Sequence, residues 1–185
     1  MSDQGIARPL RSAGRRARLE DPTAFDAFFA AEYPRVVAVL TAATGSPAVA
    51  EELAQEAMLR AHQRWSRVGG YDIPAAWVRR VALNLAHNTR ARRRSEHRAM
   101  ARMESGRPVA QTIDGGGQAD WFWGLVRRLP PRQADAVVLH YLEDRPVAEV
   151  ASILGCAEGT AKAHLHKGRA NLARLLAAME DSDGS

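Results

Sequence analysis

Apolar residues recur at helical spacing along two long stretches of this chain, and proline or glycine interrupts the pattern at only a few places. The first apolar stripe runs from Phe25 to Leu40 in the three- and four-residue steps of one helix face. Gly45-Ser46-Pro47 ends it; Ser46 is suited to the N-cap and Pro47 to the first position of the next helix. The pattern predicts an all-α fold.

The same periodicity divides the chain into five segments. Residues 1–20 are rich in arginine, alanine, glycine and serine without periodicity, which predicts a disordered basic arm. Two small helical domains, over 21–95 and 121–179, are predicted to be joined by a flexible linker over 96–120 that contains three consecutive glycines. The last residues, 180–185, are predicted to form a disordered tail.

Composition excludes several classes of protein. A length of 185 residues allows two domains, each with a small core. The single cysteine, Cys156, excludes a disulfide scaffold and a multi-cysteine zinc site, and it fits a cytoplasmic location. No apolar run approaches the ~18 residues that span a bilayer, so no membrane insertion is expected. The arginine-rich N-terminus lacks the apolar segment of a secretory signal.

Positive charge is concentrated in one part of the chain. Residues 76–107 carry nine arginines against two acids, whereas residues 21–75 carry four arginines against seven acids. An acidic stretch followed by an arginine block indicates two different partners, the second of them a polyanion. Charge alone is equally compatible with an arginine run that only solvates a helix face.

The predicted helix over 47–65 has a polar face with one apolar residue at its centre. Leu59 shares this face with Glu52, Gln55, Glu56 and Gln63. An apolar centre with a polar rim is typical of a protein-contact surface. Isolated exposed leucines are also common without any function, so the pattern alone is a weak indication.

The next predicted helix, from about 75 to beyond 94, carries neutral polar groups among arginines on its outer face. Amide and imidazole groups hydrogen-bond base edges, and arginines bind phosphate or stack on unpaired bases. A solvated amphipathic helix accounts for the arginines but not for the neutral stripe, so nucleic-acid contact is favoured over that alternative. The residues concerned are Arg79, Arg80, Asn84, His87 and Asn88.

The second block contains the spacing of a helix-turn-helix. A short amphipathic segment over 146–154 ends at Gly155, where a helix C-terminus needs left-handed backbone, and a longer helix begins near Thr160. The exposed face of that second helix would enter the major groove of DNA. An ordinary helical hairpin is the less favoured alternative. The face opposite the apolar one carries Lys162, Ala163 and His166, with Lys167 at its edge.

Four segments resemble a known family. Residues 50–61 (AEELAQEAMLRA) and 76–86 (AWVRRVALNLA) resemble region 2 of bacterial sigma factors of the extracytoplasmic-function (ECF) group. Residues 129–133 (LPPRQ) and 148–165 (AEVASILGCAEGTAKAHL) resemble region 4 of the same group. The two resemblances occur in the family's order and leave a short linker between them.

The resemblance implies that the protein binds core RNA polymerase and directs promoter recognition, DNA melting and transcription initiation. It implies clamp-helix contacts on the β′ subunit by Glu52, Gln55, Glu56 and Leu59. It implies −10 DNA contacts by Arg79, Arg80, Asn84, His87 and Asn88, together with the loop 67–72. It implies a region 4 that sits on the β flap and contacts the −35 element through His140, Lys162, Ala163, His166 and Lys167. It also admits an anti-sigma factor as a further partner.

Two other classes of function stand as alternatives. A stand-alone helix-turn-helix transcriptional regulator would bind duplex DNA by itself, whereas a sigma factor binds tightly only with core polymerase. An enzyme is disfavoured because His164 and His166, two residues apart on a helix, point in different directions and cannot share a metal ion. We therefore expect no catalytic residue, no metal and no cofactor.

Overall fold

The computed structural model of the protein describes residues 22–103 and 118–183, and all regular structure in these two ranges is helical. This confirms the predicted all-α class; the predicted basic arm over 1–20 lies outside the described residues. The N-terminal block consists of α1 (Pro22–Thr44), α2 (Pro47–Gln63), α3 (Trp65–Val68) and α4 (Pro74–Met103). The C-terminal block consists of α5 (Gln118–Val126), α6 (Pro131–Tyr141), α7 (Val147–Leu154) and α8 (Glu158–Asp183).

Helix boundaries follow the proline and glycine signals. Ser46 has extended backbone, and its hydroxyl accepts a hydrogen bond from the Val49 N–H at 3.4 Å, while Pro47 opens α2. At the end of α7, Gly155 adopts the left-handed conformation with φ of 69°, which only glycine adopts without strain. Both predicted caps are confirmed.

Helices extend past two predicted boundaries. The segment predicted as linker over 96–120 is helical at both ends, because α4 continues to Met103 and α5 begins at Gln118. Residues 96–103 contain good helix formers and no proline or glycine, so nothing ends α4 earlier. The predicted tail over 180–185 is likewise helical as far as Asp183, since α8 meets no glycine before residue 184.

The core of the N-terminal block forms where α1, α2 and α4 meet. Small residues at 50, 54, 57 and 61 of α2 are completely buried, which lets the neighbouring helices approach closely. Leu40 of α1, Met58 of α2 and Val78 of α4 fill the space between the helices. The polar face predicted for this helix therefore lies on the side of α2 that points away from the core.

The apolar core of the C-terminal block continues into the N-terminal block. Its own part consists of the buried apolar faces of α6, α7 and α8, including Val137, Ile153 and Leu165. Four buried residues of the N-terminal block belong to the same cluster, namely Val39 and Ala42 of α1 and Ala76 and Leu83 of α4. The two blocks are thus in direct contact along α1 and α4, a contact that the sequence analysis did not predict.

Candidate functional site

The acidic face of α2 is open to solvent. We use this name for Glu52, Gln55, Glu56 and Leu59. Half of the Leu59 surface is exposed, and few other large apolar side chains of the described residues are exposed to solvent. Glu56 forms an ion pair with Arg60, one turn along, at 2.7 Å on the surface of the helix. All four predicted residues therefore share one accessible face.

The predicted DNA-binding face of α4 is divided between solvent and the C-terminal block. Asn84 and Asn88 are exposed. Arg80 and His87 are partly buried, because their side of α4 lies against the C-terminal block. Ala76 and Leu83 occupy the same side at helical spacing and are buried in the shared apolar cluster. In this arrangement only the two asparagines of the predicted set are fully accessible.

Arg79 corrects one prediction, since its side chain is completely buried. Its guanidinium donates to both carboxylate oxygens of Glu143, at 2.8 and 2.6 Å from Nε, and to Glu32 at 2.7 Å from Nη1. Burial lowers the pKa of Arg79, but the hydrogen bonds and charges of Glu143 and Glu32 outweigh it, so the pKa is raised above its ordinary value. A guanidinium enclosed by two carboxylates has no free donor face for DNA phosphate.

Arg80 and His87 each contact the C-terminal block through a polar group. Arg80 donates from Nε to the carbonyl of Ile153 at 2.9 Å and from Nη2 to the carbonyl of Ser152, near the C-terminus of α7. Helix C-termini carry unpaired carbonyls and partial negative charge, which favour a cation there. His87 Nε2 lies 3.1 Å from Oδ1 of Asp135, a carboxylate of α6 that is almost completely buried.

Two further arginines bind helix ends across the boundary between the blocks. Arg90 of α4 donates to the carbonyl of Arg127 at 2.7 Å, just after α5. Arg127 in turn donates to the carbonyl of Ala42 at 3.1 Å, near the end of α1. Burial lowers the pKa of both guanidinium groups, and for Arg90 the nearby charges of Arg94 and Arg127 lower it further. Three helix C-termini are thus bound by arginines of the opposite block.

The predicted recognition face of α8 is accessible. Lys162, Ala163, His166 and Lys167 are all exposed on one side, while Ala161 and Leu165 are buried on the other. Lys162 forms an ion pair with Glu158 at 2.9 Å, one turn earlier on the same helix. His140 lies on α6 rather than on this face; it is partly buried, with Nδ1 2.7 Å from the carbonyl of Arg145.

The sequence did not indicate the acids that hold α4 against the C-terminal block, which are Glu143 and Asp135. It also did not indicate Glu32 of α1, which binds Arg79 within the N-terminal block. One signal was present: Ala76 and Leu83 are apolar residues seven apart on the face otherwise assigned to DNA contact. An apolar pair on a polar helix face indicates a second packing surface. Asp135 is also a lone acid within the apolar stretch of α6.

Neither a membrane span nor a metal site is found in the described residues. No helix within them is both long and apolar enough to cross a bilayer. No group of three or more His, Cys, Asp or Glu side chains in residues 22–103 and 118–183 could hold a metal ion.

Comparison with known proteins connects both blocks to one family. Residues 28–96 match the family model described as Sigma-70 region 2, and residues 119–172 match that described as Sigma-70, region 4. The ECF RNA polymerase sigma factor SigM of Mycobacterium tuberculosis is 34% identical over 161 residues, covering 84% of this chain and 79% of the relative. The RNA polymerase sigma-E factor of Streptomyces coelicolor is 30% identical over 135 residues, covering 72% of this chain and 75% of the relative.

Two solved structures share the fold. One is the sigma factor RpoE in complex with the anti-sigma factor NepR from Bartonella quintana, with a TM-score of 0.63, 22% identity, and coverage of 82% of this chain and 96% of that one. The other is CnrH in complex with the cytosolic domain of CnrY, with a TM-score of 0.62, 17% identity, and coverage of 89% and 96%. At these identities the likeness concerns the helical architecture.

Proposed function

We propose which surfaces of this chain bind polymerase and which bind promoter DNA, given that the chain belongs to the sigma-70 family as an ECF sigma factor. As such it binds core RNA polymerase and directs promoter recognition, DNA melting and transcription initiation. The stand-alone transcriptional regulator is not favoured, because the chain carries region 2 as well as region 4. We propose which surface performs each of these steps.

The acidic face of α2 is proposed to bind the clamp helices of the polymerase β′ subunit. Support comes from the exposure of Leu59 at the centre of Glu52, Gln55 and Glu56, all on one helix face. Desolvating an apolar centre drives association, while a charged rim sets the register of the partner. This exposed apolar residue within an acidic rim is the single observation that carries the assignment.

The exposed edge of α4 is proposed to capture one strand of the melted −10 element. Asn84 and Asn88 present amides that can hydrogen-bond unpaired base edges, and Arg80 and His87 lie on the adjoining side of the helix. Arg79 is left out of this contact set because its two carboxylate partners neutralise it. We assign it a positioning role at the base of the α4 surface.

The exposed face of α8 is proposed to read the −35 element in the major groove. Lys162, His166 and Lys167 supply donors for phosphate and base acceptors, and Ala163 supplies a methyl that can pack on thymine. The buried side of the helix, at Ala161 and Leu165, anchors it to α7 and α6. His140 is a weaker member of the set because one of its ring nitrogens already contacts the Arg145 carbonyl.

Partners and location complete the proposal. An anti-sigma factor is proposed as an inhibitory partner, since one structure with the same fold is a complex with the anti-sigma factor NepR. Another structure with this fold is a complex with the cytosolic domain of CnrY. The protein is proposed to act in the cytoplasm with RNA polymerase and to have no enzymatic activity of its own. It is proposed to work without a cofactor.

Charge reversal on the acidic face tests the central assignment. Glu56→Arg should weaken binding to core polymerase by about tenfold or more, because it places a cation where the partner surface is expected to be basic. Helicity in far-UV circular dichroism should be unchanged, since the residue lies on the helix surface. Binding is measured by fluorescence anisotropy of the labelled protein titrated with core enzyme.

The matched control is Asp26→Arg, which makes the same charge change at an exposed position of α1 outside the acidic face. It should leave the affinity for core polymerase within about twofold of the wild-type value, because exposed charges away from an interface contribute little. Equal affinities of Glu56→Arg and the wild-type protein for core polymerase would contradict the assignment.

A further inference from the structure

We infer that this chain carries a small-molecule site for a zwitterion with an aliphatic body, such as an aliphatic amino acid or a short aliphatic peptide. The site is a cavity of about 440 Å³ between α1 and the loop that joins α6 to α7. Its lining residues all differ from those assigned above to polymerase, to the −10 strand and to the −35 element. The inference therefore goes beyond the proposed function and does not depend on it.

The cavity has the size and the mixed lining of a ligand site. Ligand pockets typically enclose about 300–1,000 Å³ and combine apolar walls with a few charged or polar groups. The apolar part of the lining consists of Ala38 of α1 with Leu142 and Pro146 of the loop. The remaining lining side chains are two arginines and three acids, namely Arg35, Glu143, Asp144, Arg145 and Glu149. Such a lining suits a molecule that is apolar at one end and charged at the other.

Three of the five charged side chains already have ion-pair partners within the protein. Glu143 accepts hydrogen bonds from Arg79 on both of its carboxylate oxygens. Arg145 donates from Nη1 to Glu149 at 2.7 Å. A ligand therefore meets mainly the charges that these pairs leave over.

The charges left over are one cation and one anion. Arg35 of α1 and Asp144 of the loop form no ion pair with any of the described residues, and both line the cavity. A molecule with one negative and one positive group pairs with both side chains at once. A simple anion or a simple cation pairs with one of them and lies beside the like charge of the other. The unpaired charges therefore favour a zwitterion.

The guanidinium of Arg145 has donors that the protein does not use. Only Nη1 has a hydrogen-bond partner among the described residues, and Nε is buried without one. Oε2 of Glu143 lies 3.8 Å from this Nε, which is too far for a hydrogen bond. Buried donors almost always have a partner, so an unpartnered one indicates an acceptor from outside the protein. A ligand carboxylate that approaches the open edge of this guanidinium supplies negative charge and an acceptor.

The backbone of Asp144 is a further distinctive feature of the site. Its φ of 53° is the only positive value among the described residues other than glycine. Residues held in the left-handed conformation cluster at ligand-binding sites, where the surrounding structure maintains them. Asparagine tolerates this conformation as aspartate does. Asp144→Asn therefore removes the charge and leaves the turn intact.

These features define the orientation of the ligand. Its carboxylate lies toward Arg35 and Arg145, and its ammonium group lies toward Asp144. Its aliphatic part packs on Ala38 and on Leu142, whose surface is 38% exposed without a ligand. Covering this apolar surface favours binding. Because the ligand contacts both α1 and the loop after α6, it bridges the N-terminal and C-terminal blocks.

Isothermal titration calorimetry of the full chain tests the site with four probes. L-Leucine and L-leucyl-L-leucine carry both charges, at a shorter and a longer separation. 4-Methylpentanoate and 3-methylbutylamine keep the aliphatic part of leucine but carry only the negative or only the positive charge. At least one zwitterion should bind with a Kd of about 1 mM or below. Both probes with a single charge should bind at least about tenfold more weakly, because each lacks one charged contact.

Three substitutions locate the binding. Arg35→Gln and Asp144→Asn should each weaken zwitterion binding about tenfold or more, because each removes one charged partner. Ala38→Trp should abolish binding by filling the cavity, and the exposed position of Ala38 on α1 leaves room for the larger side chain. The matched controls are Asp26→Asn and Ala30→Trp, the same changes at exposed positions of α1 outside the cavity. Both controls should keep the Kd within about twofold of the wild-type value.

Three outcomes would overturn the inference. The first is that neither zwitterion binds, and the second is that a probe with a single charge binds as tightly as the zwitterions. The third is zwitterion binding that survives both Arg35→Gln and Asp144→Asn, because it would then lie outside the cavity. Far-UV circular dichroism checks the helicity of each variant, and the two charge variants decide the outcome if Ala38→Trp does not fold. The polymerase contact of α2 is tested independently by Glu56→Arg.

Discussion

At the scale of single residues, Arg79 illustrates how neighbours decide the role of a charged side chain. Its position in an arginine-rich helix predicts DNA contact, yet it lies between Glu143 and Glu32 with no exposed surface. Burial lowers the pKa of Arg79, but the two carboxylates outweigh burial and raise the pKa above its ordinary value, so the buried side chain is held as a charged guanidinium. Removing one member of such a set leaves a buried charge unpaired, which is why its contribution is structural.

The structure predicts most directly how replacing Gly155 changes the stability of the protein. Its φ of 69° suits glycine, and a Cβ there would lie 2.8 Å from Nη2 of Arg80. Gly155→Ala should lower the free energy of unfolding by about 1–2 kcal/mol, because an L side chain is strained in this conformation and Arg80 must also move. Urea denaturation followed by circular dichroism measures the change.

Gly159→Ala, at the second residue of α8, is the matched control. No heavy atom lies within 4 Å of the position that its Cβ would take, and its backbone is helical. Alanine should therefore raise the free energy of unfolding by up to about 0.5 kcal/mol, since glycine is the poorer helix former. Equal effects of the two substitutions would show that the left-handed turn after α7 is not maintained in solution.

At the scale of elements, one face of α8 packs against the rest of the C-terminal block, and the opposite face carries the residues proposed to bind DNA. Leu165 and Leu172 are buried, while Lys162 and His166, one turn apart, are exposed on the other side. Lys162→Ala should reduce transcription with core polymerase about fivefold or more from a promoter with an intact −35 element, corresponding to one lost contact of about 1–3 kcal/mol. Transcription from the same promoter with that element replaced should change little in the Lys162→Ala variant.

Arg174→Ala provides the control on the same helix. This arginine is exposed three turns further along and hydrogen-bonds Asn171 of α8. Its removal takes away one positive charge two turns beyond Lys167, the last residue of the proposed recognition set, so both templates should be transcribed nearly as well as with the wild-type protein. An equal loss on both templates for Lys162→Ala would remove the assignment of α8 to the −35 element.

At the scale of the whole molecule, the N-terminal block has a core of its own, and the core of the C-terminal block extends onto a few buried residues of the N-terminal block. Leu53 is buried within the N-terminal block alone, whereas Leu83 is buried against the C-terminal block. Leu83→Glu should increase the radius of gyration in small-angle scattering while far-UV circular dichroism stays unchanged, because a glutamate at 83 is solvated once the blocks separate. Leu53→Glu should abolish helicity in the N-terminal block, because no separation exposes that site.

This pair of substitutions distinguishes a docking surface from a core. If Leu83→Glu unfolds the N-terminal block as Leu53→Glu does, Leu83 is part of the core of that block and not of a contact between two intact blocks. If both variants keep the wild-type radius of gyration, the contact between the blocks does not exist in solution.

Most local features followed from the sequence because they depend on short-range sterics and on periodicity. The cap at Ser46, the left-handed Gly155, the exposed Leu59 and the open face of α8 are each determined by residues a few positions apart. The helix-turn-helix could be recognised for the same reason. The alternation of polar and apolar residues around a helix specifies which sides can be buried.

Only the tertiary structure determines which of these helix faces are covered and which residues cover them. The sequence of the α4 side that contains Arg79 and Leu83 is compatible with DNA binding and with packing. Arginine side chains bind phosphate, carboxylates and the carbonyl groups at helix ends alike. Arg79 meets Glu143 across 64 residues of sequence, and His87 meets Asp135 across 48. No local pattern specifies such partners, because the choice depends on the total free energy of bringing two helical blocks together.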